Sequence, residues 1–270
     1  MTGDRGAALE LLVAEPARTT LLCDLDGTLS ELVDDPAAAV PLPGAAAALD
    51  YLGSHLRTVA VVSGRPLAFL EARLRHDAPA ILLAGLYGLE RSGPDGAVRT
   101  DPAAEPFRRH VAVAVAEARA ALPPGVLVEE KGLSLALHYR EAPDAEAAVL
   151  AVAADLAARH GLAEQPAKLA VELVPPVAVD KGTVATELAA GSQVACVLGD
   201  DLGDLAAFTA LGRLAELGRL GAALRIAVAA RDTPPPLLRA ADLVLDGPPA
   251  ALAFLEELAE RLGYVPGRLR

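Results

Sequence analysis

Four stretches of this chain run apolar without a polar partner face and then break off in small, acidic or basic residues. Residues 19–25 read TTLLCDL, 57–65 RTVAVVSGR, 79–90 PAILLAGLYGLE and 193–204 QVACVLGDDLGD. A strand covered on one face alternates apolar and polar side chains, whereas a strand covered on both faces reads as a continuous apolar run. Helical segments are expected between them, at 7–15, 44–55 and 66–75, the last with Pro66 at its first position. Further helices are expected at 181–190 and 248–262, and short strands at 222–230 and 241–247. Strand alternating with helix predicts an α/β fold with a doubly wound, Rossmann-like parallel sheet.

The pattern changes in the middle. Residues 91–106, RSGPDGAVRTDPAAEP, are turn-rich and read as a hinge. Helices are expected at 105–122 and 144–160. Residues 125–140 predict two strands joined near Lys131 and Gly132. In the second of these, Leu133, Leu135, Leu137 and Tyr139 alternate with Ser134, Ala136, His138 and Arg140. Residues 167–176 predict another alternating strand, with Glu172 facing away from Leu169, Val171 and Leu173. Such strands belong to a sheet with one apolar and one polar face. The expected organisation is therefore a core domain of residues 1–100 and 176–270, interrupted by a smaller inserted α+β cap domain of residues 101–175.

Composition narrows the classes of function. The 270 residues carry a net charge of −12 with no basic stripe, which argues against nucleic acid and anionic membranes as partners. No window of about 18 apolar residues is free of charge or proline, and the N-terminal residues make a poor signal peptide, so a cytoplasmic location is the expectation. Five scattered histidines, at 55, 76, 110, 138 and 160, do not pair at zinc spacing. Cys23 and Cys196 sit in apolar runs and read as small buried hydrophobes. Only three of the 24 basic residues are lysines, Lys131, Lys168 and Lys181. A lysine retained in an arginine-rich chain suits a place needing a compact point charge.

In a parallel sheet, ligands bind beyond the carboxyl ends of the strands. There this chain places Asp24, Asp26 and Thr28, then Ser63, Gly64 and Arg65, and finally Asp200, Asp201 and Asp204, with Lys181 at a helix start. So many carboxylates in one crevice repel one another unless a hard cation joins them. An all-oxygen donor set points to Mg²⁺.

The ordered pieces DLDGT, SGR, DKG and GDDLGD resemble the four motifs of haloacid dehalogenase-like phosphatases. The resemblance implies Asp24 as nucleophile, and Asp26 as general acid and then base, with a raised pKa. Ser63, the Gly64 backbone and Lys181 would hold the phosphoryl group, and Arg65 would bind substrate or pair with a strand-end acid. Asp24, the Asp26 backbone, Asp200 and Asp204 would hold Mg²⁺, with Asp201 in support. The segments GLYGLE, EEKGLSLALHYR and VELVPPVAVDKGTV are similar to those of trehalose-6-phosphate phosphatases. That family implies hydrolysis of trehalose 6-phosphate, the last step of trehalose biosynthesis. It also implies sugar contacts from Lys131, His138, Arg140 and Glu172 and a functional link to a trehalose-6-phosphate synthase. The chain departs from the family at Gly203 and Leu205, where Thr and Glu are common, at Val174 for Arg and at Tyr87 for His. Other readings are a phosphatase for sucrose, mannosylglycerate or hexose phosphates, a phosphomutase, and a non-catalytic sugar-phosphate-binding regulator.

Overall fold

The computed structural model describes residues 3–33, 35–93, 95–167, 169–231 and 233–265. Lys168 lies outside the described residues. The chain forms two compact units, one built from the chain up to Val98 and again from Val179, the other from Arg99–Ala178. The first unit opens with α1 (Arg5–Ala14), β1 (Thr19–Cys23), α2 (Ala45–His55), β2 (Thr58–Val62), α3 (Leu67–Leu70), β3 (Leu82–Gly85) and β4 (Glu90–Ser92), and β5 (Val98–Thr100) straddles the boundary. The second unit contains α4 (Arg108–Ala121), β6 (Leu127–Glu130), β7 (Leu135–His138), α5 (Glu146–His160), β8 (Ala163–Ala167) and β9 (Ala170–Val174). The first unit resumes with α6 (Lys181–Leu188), β10 (Val194–Gly199), α7 (Leu202–Glu216), β11 (Ala222–Ala229), α8 (Pro235–Ala240), β12 (Leu243–Asp246) and α9 (Gly247–Arg261).

The large sheet runs in the order β12-β11-β10-β1-β2-β3-β4-β5. Its first six strands are parallel, and β4 returns antiparallel to β3. The continuous apolar runs have a direct cause, because successive side chains enter different cores. Leu21, Cys23, Val59, Val61, Cys196 and Leu198 pack with Leu12 of α1, Leu49 of α2, Leu70 of α3 and Phe254 of α9. Leu22, Ala60, Val62, Ala195 and Val197 pack on the other side with Val184 of α6, Phe208 of α7 and Leu237 of α8. Both free cysteines are buried. Strand order reverses between β1 and β10, so their carboxyl ends form the switch point of the sheet.

The second unit has an antiparallel sheet in the order β6-β7-β9-β8. One face, with Leu135, Leu137, Val171 and Leu173, packs on Val111 and Val115 of α4 and Val149 and Leu156 of α5. In the other row Glu129 stands opposite Ala136, and Ala136 opposite Glu172.

Several local expectations need correction. The hinge at 91–106 contains the end of β4 and all of β5. Strand β8 forms although AEQPA lacks an apolar pattern, because its backbone pairs along the edge of β9. Pro66 caps α3 with extended ψ rather than entering it. Leu169 precedes β9 with a left-handed φ of 53° and is exposed, so it leaves the alternation.

Candidate active site

Four groups converge at the switch point. Asp24 follows β1 and is tied in place by its own N–H, which donates to Leu198 O on β10 at 3.0 Å. Asp200 follows β10 directly, so the pairing of Cys23 with Leu198 brings these two acids to one edge. Asp204 lies in the first turn of α7. Its Oδ2 accepts from the N–H groups of Asp200 (3.0 Å) and Asp201 (3.2 Å), and its Oδ1 accepts from Lys181 Nζ at 2.7 Å. Lys181, the first residue of α6, also lies 2.9 Å from Asp24 Oδ1. Its aligned hydrogen bond goes to Asp204, and Asp24 Oδ1 is left buried with no well-aligned donor.

Close backbone approaches make this packing possible. A Cβ on Gly27 would lie 2.1 Å from Asp200 Oδ2, and Gly27 has a left-handed φ of 72°. A Cβ on Gly199 would lie 2.2 Å from Asp204 Cγ. Any larger residue at either position would displace an acid of the cluster.

The carboxylates of Asp24, Asp200 and Asp204 offer ligand atoms all within 4.8 Å of one another. Burial, more than any other cause, raises the Asp24 pKa well above the ordinary carboxylate range; Lys181 opposes this, and Asp204 and Asp200 add to it. Burial and the neighbouring Asp204 and Asp201 push Asp200 up to about 8. Burial likewise raises Asp204 against the opposing pull of Lys181. Lys181 is disfavoured as a cation by burial, yet Asp204 and Asp24 outweigh that and hold it charged. One ammonium for three buried acids leaves the cluster short of positive charge. The orphaned Asp24 Oδ1 and the all-carboxylate donor set fit a hard divalent cation.

The other acids named from the sequence lie elsewhere. Asp201 is outside the three-acid cluster: its carboxylate caps α7, accepting from Gly203 N at 2.8 Å. Asp26 is also outside it and is not an isolated, desolvated carboxyl. Arg65 grips it in a bidentate pair, Nε and Nη2 each at 2.8 Å, and the guanidinium stacks 4.8 Å over Phe69. Ser63 is buried, and its Oγ accepts from Arg65 N at 3.2 Å, which closes the SGR loop around Gly64. Thr28 Oγ1 is buried with no hydrogen-bond partner among the described residues.

In the second unit, Lys131 Nζ lies 3.2 Å from Glu172 Oε1, and Ser134 Oγ donates to the same oxygen at 2.7 Å. His138 Nε2 lies 2.9 Å from Glu129 Oε2. Ser134, Ala136 and Glu172 of this polar row are buried. Arg140 stands beyond the end of β7 in a turn and is exposed. Sequence reasoning passed over Ser134 and Glu129 as partners. Their signal was register, since Glu129 and Glu172 both stand opposite Ala136.

Of the departures, Gly203 supplies the N–H that Asp201 caps, Leu205 packs against the second core, and Val174 ends β9. Tyr87 sits in a turn of left-handed residues, Leu86 (φ 48°), Tyr87 (59°) and Gly88 (110°). Such a conformation costs a non-glycine residue about 1–2 kcal/mol.

Comparison with known proteins gives the family. The family model described as trehalose-phosphatase matches residues 22–231. The chain is similar to the trehalose-phosphate phosphatase of Mycobacterium marinum, 38% identical over 205 residues, covering 72% of this chain and 52% of that protein. It is also similar to that of Mycobacterium leprae, 33% identical over 272 residues, covering 95% of this chain and 60% of that protein. It therefore spans 52% and 60% of the length of these two relatives. Its fold is similar to the Candida albicans trehalose-6-phosphate phosphatase C-terminal domain, with a TM-score of 0.75 and 23% identity, covering 96% and 97% of the two chains. No helix among the described residues is long and apolar enough to cross a membrane. With its family motif running from β1 to past β11, this chain belongs to the trehalose-phosphatase family.

Proposed function

We propose that the chain is a Mg²⁺-dependent phosphatase that hydrolyses trehalose 6-phosphate to trehalose and phosphate through a phosphorylated Asp24. The observation that carries this reading is the convergence of Asp24, Asp200, Asp204 and Lys181 at the carboxyl edge of β1 and β10. Asp24, Asp200 and Asp204 would hold Mg²⁺, with the Asp26 backbone oxygen as a further ligand. When bound, the ion supplies the positive charge that keeps three acids ionised and offsets the charge of the phosphate.

The protein's own groups then divide the work. An Asp24 oxygen attacks phosphorus as the bond to the sugar oxygen breaks. Lys181, 2.9 Å from Asp24, neutralises charge on the attacking side and on the phosphoryl oxygens. Ser63 and the Gly64 backbone take phosphoryl oxygens, and Asp26 gives its proton to the departing sugar. For that step Asp26 and Arg65 must part, and the anionic phosphoryl group offers Arg65 a replacement partner. Asp26 then takes a proton from water, which attacks the phosphoaspartate, releases phosphate and restores Asp24. Lys131 and Glu172 in the second unit, with His138 and Arg140, offer the donors and acceptors that sugar hydroxyls need.

The test is phosphate release from trehalose 6-phosphate, glucose 6-phosphate and sucrose 6-phosphate with and without Mg²⁺. Release should require Mg²⁺ and favour trehalose 6-phosphate. Asp24→Asn removes the attacking oxygen and should lower kcat at least 10³-fold. Turnover that survives this change would sink the covalent mechanism.

A further inference from the structure

The strained turn after β3 delivers an aromatic ring to the loop proposed to hold phosphate. Tyr87 N donates to Ser63 O at 2.9 Å, and Leu86 N donates to Arg65 O at 2.8 Å. Arg91 Nε donates to Gly88 O at 3.0 Å. On its other side the turn presses on α6, for a Cβ on Gly88 would lie 2.3 Å from Val184 Cγ2. Leu86 and Tyr87 are both left-handed non-glycine residues, which persist only where the surroundings over-determine them.

What the turn fixes is the position of the Tyr87 ring. A Cβ on Gly64 would lie 2.7 Å from Tyr87 Cζ and 2.8 Å from its hydroxyl oxygen. A Cβ on Gly203 would lie 3.8 Å from Tyr87 Cε1. The ring thus reaches from the start of α7 to the SGR loop, with its polar end against Gly64. Gly64, without a Cβ, makes room for it.

We propose that Tyr87 is a phosphoryl-positioning residue, whose phenolic hydroxyl donates to an oxygen of the phosphoryl group bound beside Ser63 and Gly64. This rests on the phosphatase reading above and adds a donor that the four motifs do not contain. A phenol suits the task, since it is a neutral donor on a rigid ring with few torsions to freeze.

Inorganic phosphate, the reaction product, is the probe. The full chain with saturating Mg²⁺ is titrated with phosphate by calorimetry and by near-ultraviolet absorption. The protein has four tyrosines and no tryptophan, so that spectrum reports tyrosine alone. The unaltered protein should bind phosphate with a tyrosine difference signal. Tyr87→Phe keeps the ring and removes the hydroxyl. It should abolish the signal and weaken phosphate binding about tenfold, equivalent to about 1.4 kcal/mol, with the melting temperature unchanged. Phosphate binding by Tyr87→Phe as tight as by the unaltered protein would overturn the assignment and leave the phosphatase reading standing. A tenfold loss matched by a lowered melting temperature would mark a packing role and also overturn it. Failure of the unaltered protein to bind phosphate would overturn both readings.

Discussion

At the scale of the residue, the cluster is arranged against its own charge. Asp200 is pushed up to about 8, and Asp24 and Asp204 are raised as well, by burial above all. An unfolded chain releases the protons of these acids near pH 4. Between that pH and about 8 the folded protein without a cation therefore binds more protons than the unfolded one. Its stability is full at the acidic end of this window and is lost as pH rises through it, by about 1.4 kcal/mol per pH unit for each extra proton. Melting temperatures in EDTA should fall as pH is raised toward 8, and saturating Mg²⁺ should flatten that slope by replacing protons with a metal. A melting temperature in EDTA that rises over the same range would refute this electrostatic account. The residue identities of the cluster were legible because acids at the ends of apolar strands have no structural use. The fate of Asp26 was legible only in part, since Arg65 could be read as the partner of a strand-end acid but not of this one. Nothing in DLDGT announces that a guanidinium 39 positions later grips its carboxylate with two hydrogen bonds.

Elements carry these residues to one place, and the contact of α6 with α7 is the tightest joint among them. Lys181 heads α6 and Asp204 sits in the first turn of α7, so their ion pair depends on how closely the two helices approach. Gly182 sets that approach, for a Cβ there would lie 2.7 Å from Ala206 O and 3.0 Å from its carbon. Backbone cannot swing aside as a side chain can, so Gly182→Ala must push the helices apart. We expect a loss of about 1–3 kcal/mol in chemical denaturation, the usual cost of overpacking. The Mg²⁺ affinity of the folded variant should fall too, as Asp204 is drawn from Asp24 and Asp200. A variant that denatures like the parent would show that the joint yields. The helices and strands of the parallel sheet were readable from periodicity, since continuous apolar runs mean cover on both faces. Strand β8 was not, because AEQPA pairs through backbone alone, and the burial of Ser134 and Glu172 was not, because alternation reports polarity, not exposure.

Across the whole molecule, the proposed function assigns chemistry and recognition to different units. Asp24, Asp26, Ser63, Lys181, Asp200 and Asp204 all belong to the first unit, whose two cores flank one sheet. Lys131, His138, Arg140 and Glu172 belong to the second, which has a core of its own. This split separates two demands that conflict within one site. Attack on phosphorus needs rigid, crowded charge, and the bonds of Asp204 to Lys181 and two backbone N–H groups supply it. Reading a sugar needs polar groups that can exchange partners, such as Lys131, Ser134 and Glu172 around a single oxygen. Replacing Arg99–Ala178 by a short flexible linker should therefore leave a folded first unit, since among the described residues none of the second enters either of its cores. That protein should still bind Mg²⁺ and hydrolyse a simple aryl phosphate, because attack and charge neutralisation remain. It should lose its preference for trehalose 6-phosphate over glucose 6-phosphate, because the groups proposed to tell them apart are gone. The ratio of kcat/KM for the two sugar phosphates is the deciding measurement. A preserved ratio would place recognition in the first unit and remove Lys131, His138, Arg140 and Glu172 from the sugar site.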